Sequence, residues 1–200
     1  MKKVLFVLLI MPIFTIGQTN KALDFVSPIH DGLIAVKKNN AWGFINSKGV
    51  LVIDFRDDLV LTETQQGKYP VFKNNRCLIS SKKKGIVYFG YIDKNGKTVI
   101  KPQFLNAFNF NNNSAMALKL IEEKVGKNEI LGKNIVYHRY FEVVIDSNGM
   151  VKEYLNPKGV NVILDKNHVG IPPEITSKQI SDSIYAVLNQ NKKWTIALVN

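Results

Sequence analysis

The chain has 200 residues, carries a formal net charge of +11 and contains a single cysteine, Cys77. One cysteine excludes an internal disulfide framework, and the length matches one domain able to bury a real core. The basic balance directs attention to anionic partners, with nucleic acid not among those expected.

Met1-Lys2-Lys3 precedes a 13-residue apolar run, Val4 to Ile16. A charged head, an apolar stretch too short for a comfortable membrane span and small residues at Thr15-Ile16-Gly17 predict a secretory signal peptide over residues 1–17. No cysteine adjoins the run to carry a lipid. The expectation is a mature domain over residues 18–200, secreted or periplasmic, without a transmembrane span after cleavage.

Leu33-Ile34-Ala35-Val36, the polar Lys37-Lys38-Asn39-Asn40 and Trp42-Gly43-Phe44-Ile45-Asn46 then read as strand, turn and strand. Ser47-Lys48-Gly49 supplies another turn, and Val50 to Ile53 resumes a β-branched run. The pattern recurs as Phe89-Gly90-Tyr91-Ile92-Asp93, Lys94-Asn95-Gly96 and Thr98-Val99-Ile100. Asp93 suits the first position of a type I turn, where its carboxylate accepts backbone N–H groups ahead of it, and Gly49 and Gly96 suit the left-handed position that closes it. Alternation along the strand places Trp42 and Phe44 on one face and Gly43 and Ile45 on the other, so a second backbone can approach closely on the glycine side.

A third copy, Glu142-Val143-Val144-Ile145-Asp146-Ser147-Asn148-Gly149, keeps the Ile-Asp pair and the turn glycine but lacks Trp-Gly. A fourth, Ile184 to Leu188 followed by Trp194 to Val199, stops at its central strand. Trp42, Phe89, Glu142 and Trp194 occupy equivalent positions 47, 53 and 52 residues apart. Such regularity marks a repeat architecture.

These residues resemble the WG-repeat family, whose units run as Gly-Leu-Ala-x-Val, a few polar residues, Trp-Gly-Tyr-Ile-Asp, a turn glycine, Val-Ile and Pro-x-Phe. Gly32 to Val36 with Trp42 to Asn46 matches the first unit, and Phe89 to Asp93 with Gly96, Val99-Ile100 and Pro102-Gln103-Phe104 matches the second. Asp54-Phe55-Arg56 departs from the first unit's Pro-x-Phe, Phe89 replaces the second unit's Trp, and that unit opens on Arg76-Cys77-Leu78-Ile79. The resemblance covers 25–104 well and 105–200 loosely. It implies an all-β array of antiparallel hairpins or three-stranded units, propeller-like or solenoid-like, with few or no helices and about four units, two clear and two degenerate.

Between the units, Gln65 to Pro70 and Ser80 to Gly85 read as polar connectors flanking strands at Val71-Phe72 and Leu78-Ile79. Asn106 to Asn113 reads as a loop, Ser114 to Leu120 as a strand, Gly126 to Asn134 as a polar turn and Ile135 to Phe141 as a strand. After Pro172-Pro173, a short helical turn around Ser177 to Ser181 is expected before the last hairpin.

No constellation of residues commits the chain to a reaction. His30, His138 and His168 lack a second ligand at metal spacing. Asp57-Asp58 and Glu122-Glu123 read as solvated loop charge, since adjacent acids on a strand face opposite ways and cannot flank one bond. No nucleophile elbow or phosphate loop is present. The expectation is a non-enzymatic module with no cofactor, no metal and no catalytic residue. Its partner is a protein or an anionic envelope polysaccharide, and the binding residues are not assigned from sequence. Lys37-Lys38, Lys82-Lys83-Lys84 and Lys192-Lys193 read as solvated turns, Cys77 as a buried small hydrophobe, and Trp42, Phe89 and Trp194 as fillers of the interfaces between units.

Overall fold

The computed structural model describes residues 22–129, 132–165, 167, 169–189 and 191–199. The leader predicted over 1–17 and His168 lie outside the described residues. Every regular element among those described is a strand. The first unit consists of β1 (Phe25–His30), β2 (Leu33–Lys38), β3 (Ala41–Asn46) and β4 (Leu51–Arg56), in that spatial order. A small hairpin, β5 (Thr62–Thr64) with β6 (Gly67–Tyr69), leads to β7 (Cys77–Lys83), β8 (Ile86–Ile92) and β9 (Thr98–Ala107). The third unit uses β10 (Ser114–Asn128), β11 (Lys133–Asp146) and β12 (Val151–Tyr154), with β13 (Val160–Val162) added on β11. The last comprises β14 (Lys178–Gln179), β15 (Ile184–Leu188) and β16 (Trp194–Leu198).

Each unit carries one strand more than the hairpin pattern predicts, because the connector before it adds an edge. In the first unit that edge is β1. Asp58 to Val60 serves the second, through Leu59 bridging Ile79 and hydrogen bonds from Val60 N to Leu78 O and Ser80 N to Asp58 O. The far end of β9 serves the third, where Ala107 pairs with Ala117, and β14 serves the fourth. Lys178 and Gln179 pair with Ala186 and Tyr185, so the helical turn expected around Ser177 to Ser181 is a strand edge instead. Apolar spacing there is set by burial of alternate β15 residues and not by a helix face.

The register is the same in all four units. Trp42 stands opposite Lys37, Phe89 opposite Ser80, Glu142 opposite Leu118 and Trp194 opposite Leu188. Three second-to-third strand turns are also identical in their bonds. Gly49 N, Gly96 N and Gly149 N donate to the carbonyls of Asn46, Asp93 and Asp146 at 2.9–3.0 Å, and the side-chain oxygens of those same residues accept two further amides each. The closing glycines have φ of +76°, +77° and +82°, the left-handed region that their turns require.

Units stack face to face. The face bearing Trp42 and Phe44 packs, with Leu33, Ala35 and Ile53, on Cys77, Ile79 and Ile92 of the second unit. Phe89, Tyr91 and Leu78 pack in turn on Ala115, Ala117, Val143 and Ile145 of the third, and Met116 and Val144 pack on Tyr185, Val187 and Val199 of the fourth. Three successive interfaces thus make up most of the core, as a stacked repeat requires, and a fourth cluster gathers Ile86, Leu105, Leu118 and Val169. Turns also reach their neighbours: Arg56 Nη1 donates to Gly96 O at 3.0 Å, Arg76 Nη2 to Ser147 O at 3.0 Å, and Lys94 pairs with Asp31 at 3.3 Å.

Five connector expectations change, the first two because Gly67 to Tyr69 form β6 and Ser80 to Lys83 complete β7 where polar connectors were expected. Val71 and Phe72 are buried but not in a strand; Phe72 packs edge-on against Phe44 with centroids 4.8 Å apart. Phe110 repeats this contact on Tyr91, also at 4.8 Å. The stretch read as a turn over Gly126 to Asn134 is mostly the paired ends of β10 and β11, which stay paired, across a register shift between Lys124 and Gly126, out to Asn128 opposite Lys133. Cross-strand pairing along this arm continues what polar composition alone would end. Asn106 and Ala107, assigned to a loop, complete β9 because that strand turns from β8 to pair with β10.

Candidate binding surfaces

The Trp-Gly pair has a steric basis in the second-to-third strand pairing. An added Cβ at Gly90 would lie 2.3 Å from Ile100 O and 2.6 Å from Pro102 N; at Gly43 it would lie 2.9 Å from Ile53 O. Both glycines sit where the register slips, between Trp42 and Phe44 and between Phe89 and Tyr91. The facing strand bulges in toward the glycine. Val143 replaces the glycine in the third unit, and there Val143 and Val144 pair with Tyr154 and Glu153 without that slip.

Residues 42–77 and 89–119 match the model of the WG containing repeat. These two stretches carry WG repeats. No curated protein and no solved structure matches it. The WG-repeat framework makes the molecule an all-β, non-catalytic binding scaffold, and the question becomes which surfaces its stacking leaves open.

The Trp positions have three different fates. Trp42 is 8% exposed, sits edge-on to Phe25 with centroids 5.6 Å apart and has Lys37 Nζ 5.8 Å from its ring centroid. Phe89 is equally buried. Glu142 takes the third position and is also buried, its Oε1 accepting Thr176 N and Oγ1, both at 2.8 Å, and its Oε2 accepting Ser177 N at 3.0 Å and Ser177 Oγ. A carboxylate there ties the 176–177 segment to the sheet, satisfying charge with hydrogen bonds where an aromatic would satisfy area.

Trp194 is the exception. It is 48% exposed, with Ile196 at 64% and Leu198 at 69%. The interface role expected for Trp194 from sequence is therefore overturned. Ala197 and Val199, pointing the other way, pack on the third unit, and the outward row has no further unit against it among the described residues. Its partners across the hairpin, Leu188, Ala186 and Ile184, are half-buried and complete three apolar cross-strand pairs on one face. Lys178 Nζ lies 5.0 Å from the Trp194 ring centroid, a cation that the ring face attracts.

At the opposite end, the outer face of the first unit presents a cleft of about 420 Å³ lined by Leu23, Val36, Lys38, Ile45, Leu51 and Phe55. Ile45 and Val36 are the equivalents of Ile92 and Ile79, which receive the Trp42 face inside the stack.

Lysines form a second surface. Lys37-Lys38, Lys82-Lys83-Lys84 and Lys192-Lys193 all flank the tip of the hairpin between the first and second strands of a repeat, in units one, two and four. The second-to-third strand turns of units two and three are tied to the preceding unit through Arg56, Arg76 and Lys94, and the lysine tips lie at the other end of their own hairpins. Sequence spacing could not show this common placement.

A cleft of about 690 Å³ beside the tip in unit two joins Lys83, Lys84 and Tyr88 to Glu122, His138 and Asp165. Glu122 and Glu123 lie on β10, not in the loop expected for them, and face His138 at 3.5 Å and Arg139 at 3.7 Å, the second partner being the neighbour of the first on β11. Polar pairing across neighbouring strands accounts for both. Asp58 is likewise held by Arg56 at 2.5 Å, while Asp57 is exposed. His30 is half-buried and contacts Tyr69 Oη at 3.1 Å. No group of three or more His, Cys, Asp or Glu is placed to hold a metal ion among the described residues.

Cys77 is buried beneath the first interface, and burial pushes its thiol well above the ordinary range. Burial likewise raises the phenol of Tyr91, whose hydroxyl donates to Phe108 O at 2.6 Å. Both groups are structural. Sequence reading missed one repeated element altogether. Phe72-Lys73-Asn74-Asn75 and Phe110-Asn111-Asn112-Asn113 have the same fold, with both asparagines at positive φ and reciprocal backbone bonds between Lys73 and Arg76 and between Asn111 and Ser114. The signal, Phe-x-Asn-Asn before each first strand, was present in the chain.

Proposed function

We propose that the protein is an exported WG-repeat module that binds a protein partner at the cell envelope, through the outer face of its last unit. Export rests on Met1-Lys2-Lys3 and the apolar run Val4 to Ile16. The observation that carries the binding surface is the exposure of Trp194 and Ile196, at positions whose counterparts in the first unit, Trp42 and Phe44, are core, together with the exposed Leu198 on the same face. A contiguous row of large apolar side chains on a soluble surface marks an interaction site, and an exposed Trp is the residue type that anchors such contacts.

A second reading, binding of an anionic envelope polysaccharide, is favoured by the lysines at the equivalent hairpin tips of three units. The two separate in one experiment. The purified protein is incubated with envelope fractions at low and high salt, and retained material is identified by mass spectrometry. Protein capture that survives salt and is lost in Ile196→Glu is the expected result. Capture of glycan that disappears at high salt, persists in Ile196→Glu and is lost when Lys82, Lys83 and Lys84 are replaced by Ala would establish the second reading instead.

A further inference from the structure

We propose that the partner of the open face is a second copy of this chain, docked head to tail so that the outer face of its first unit covers Trp194, Ile196 and Leu198. This rests on the reading that the last unit's face binds protein. The stack itself supplies the template. Three times within one chain, the face bearing the Trp-position residue receives the opposite face of the next unit. Among the described residues one face of each kind has no unit against it: the Trp194 row at one end and, at the other, the cleft walled by Ile45, Leu51 and Phe55 with the buried Val36 as its floor. Because both faces are open in the same molecule, the contact forms between molecules and continues an interface already built three times.

The residues correspond one to one. Ile45 and Val36 occupy the positions of Ile92 and Ile79, which meet Trp42 and Phe44 in the first interface. In the intermolecular contact the half-buried Ile45 and the exposed Leu51 would meet Trp194 and Ile196, above the buried Val36. An interface between two different faces is heterologous, so addition continues until a ring closes or the chains run out. Charge opposes it. Stacking in this register brings Lys37 and Lys38 of one copy beside Lys192 and Lys193 of the other, so salt should strengthen association by screening them. That sign is opposite to the sign for lysine-mediated glycan binding.

The test is sedimentation velocity with light scattering on the purified protein, over a concentration series at low and high salt. The expected result is a mass that rises with concentration, more so at high salt. Ile196→Glu and Leu51→Glu, each at an exposed residue, should weaken association about tenfold or more. Mixed one to one, the two variants should give a heterodimer and stop, since each retains the face that the other has lost. Melting curves establish that both variants fold. Cross-linking of the unaltered protein, from isotope-mixed chains, adds a measurement without substitutions: Lys38 should link to Lys193 between chains.

A parent that stays monomeric at every concentration and salt overturns the proposal. So does Leu51→Glu associating like the parent, which would indicate a back-to-back contact through the Trp194 row alone. If the monomeric parent still captures an envelope protein that Ile196→Glu loses, self-association falls while the protein-binding reading stands. If neither occurs, both fall.

Discussion

Replacing Gly90 by Ala puts one methyl group where the structure has backbone. The new Cβ would stand 2.3 Å from Ile100 O, 2.6 Å from Pro102 N and 2.8 Å from Lys101 C. An ordinary carbon–oxygen contact is about 3.3–3.6 Å, so β9 would have to retreat by roughly 1 Å. No flexible side-chain end can absorb that movement, because all three atoms belong to the main chain. Overpacking of this kind costs about 1–3 kcal/mol, and loosening a ladder bond of β8 with β9 adds about 1 kcal/mol. For a domain of this size each kcal/mol lowers the melting temperature by about 2–4 °C, so a fall of roughly 5–15 °C is expected by circular dichroism. Gly43→Ala, with its nearest contact at 2.9 Å, should fall less, and Gly126→Ala, with nothing within 4 Å, should melt with the parent. Gly90→Ala melting within a degree or two of the parent, or the three ranking in another order, would refute the bulge as the reason for the glycine.

Glu142→Leu leaves the amides and hydroxyls of Thr176 and Ser177 without their acceptor, at about 1–3 kcal/mol for each buried donor stranded, and hydrogen exchange should show the 176–177 segment released. Gly96→Val forces a β-branched residue to φ +77° with its Cβ 3.3 Å from Ile53 Cγ2, so destabilisation of at least about 1 kcal/mol should appear in a denaturant titration. Raised acids lose their stabilising effect in alkali. Below about pH 8.5 Cys77 and Tyr91 are protonated whether folded or not; above the ordinary values of about 8.5 and 10, the unfolded chain ionises first and stability falls as pH rises. A thiol reagent at pH 8 should accordingly leave Cys77 unmodified until denaturant is added.

Hairpins, turn glycines and the spacing of four units were legible because each depends on local chemistry: β-branched alternation, a turn carboxylate and a residue able to take positive φ. The edge strand before each unit was not, since Asp58 to Val60 and Lys178-Gln179 become strands only by pairing with a neighbour already in place. The long β10–β11 arm was hidden for a related reason, its polar residues being paired across strands and not buried. For the candidate site, the residue types at the Trp positions were visible but their exposure was not. Burial of Trp42 and exposure of Trp194 follow from what stacks on each unit, and the same alternating pattern surrounds both.

The central claim is that one repeat position has opposite roles at the two ends of the stack. It is tested most directly by measuring melting temperature and partner retention together for Trp42→Ala and Trp194→Ala. Trp42, nine-tenths buried against Phe25 and the second unit, should cost about 3–5 kcal/mol and lower the melting temperature by about 10 °C. Trp194→Ala should melt within a few degrees of the parent and lose retention of the partner. Equal destabilisation by the two substitutions, or undiminished retention by Trp194→Ala, would contradict the assignment of the open face as the binding surface.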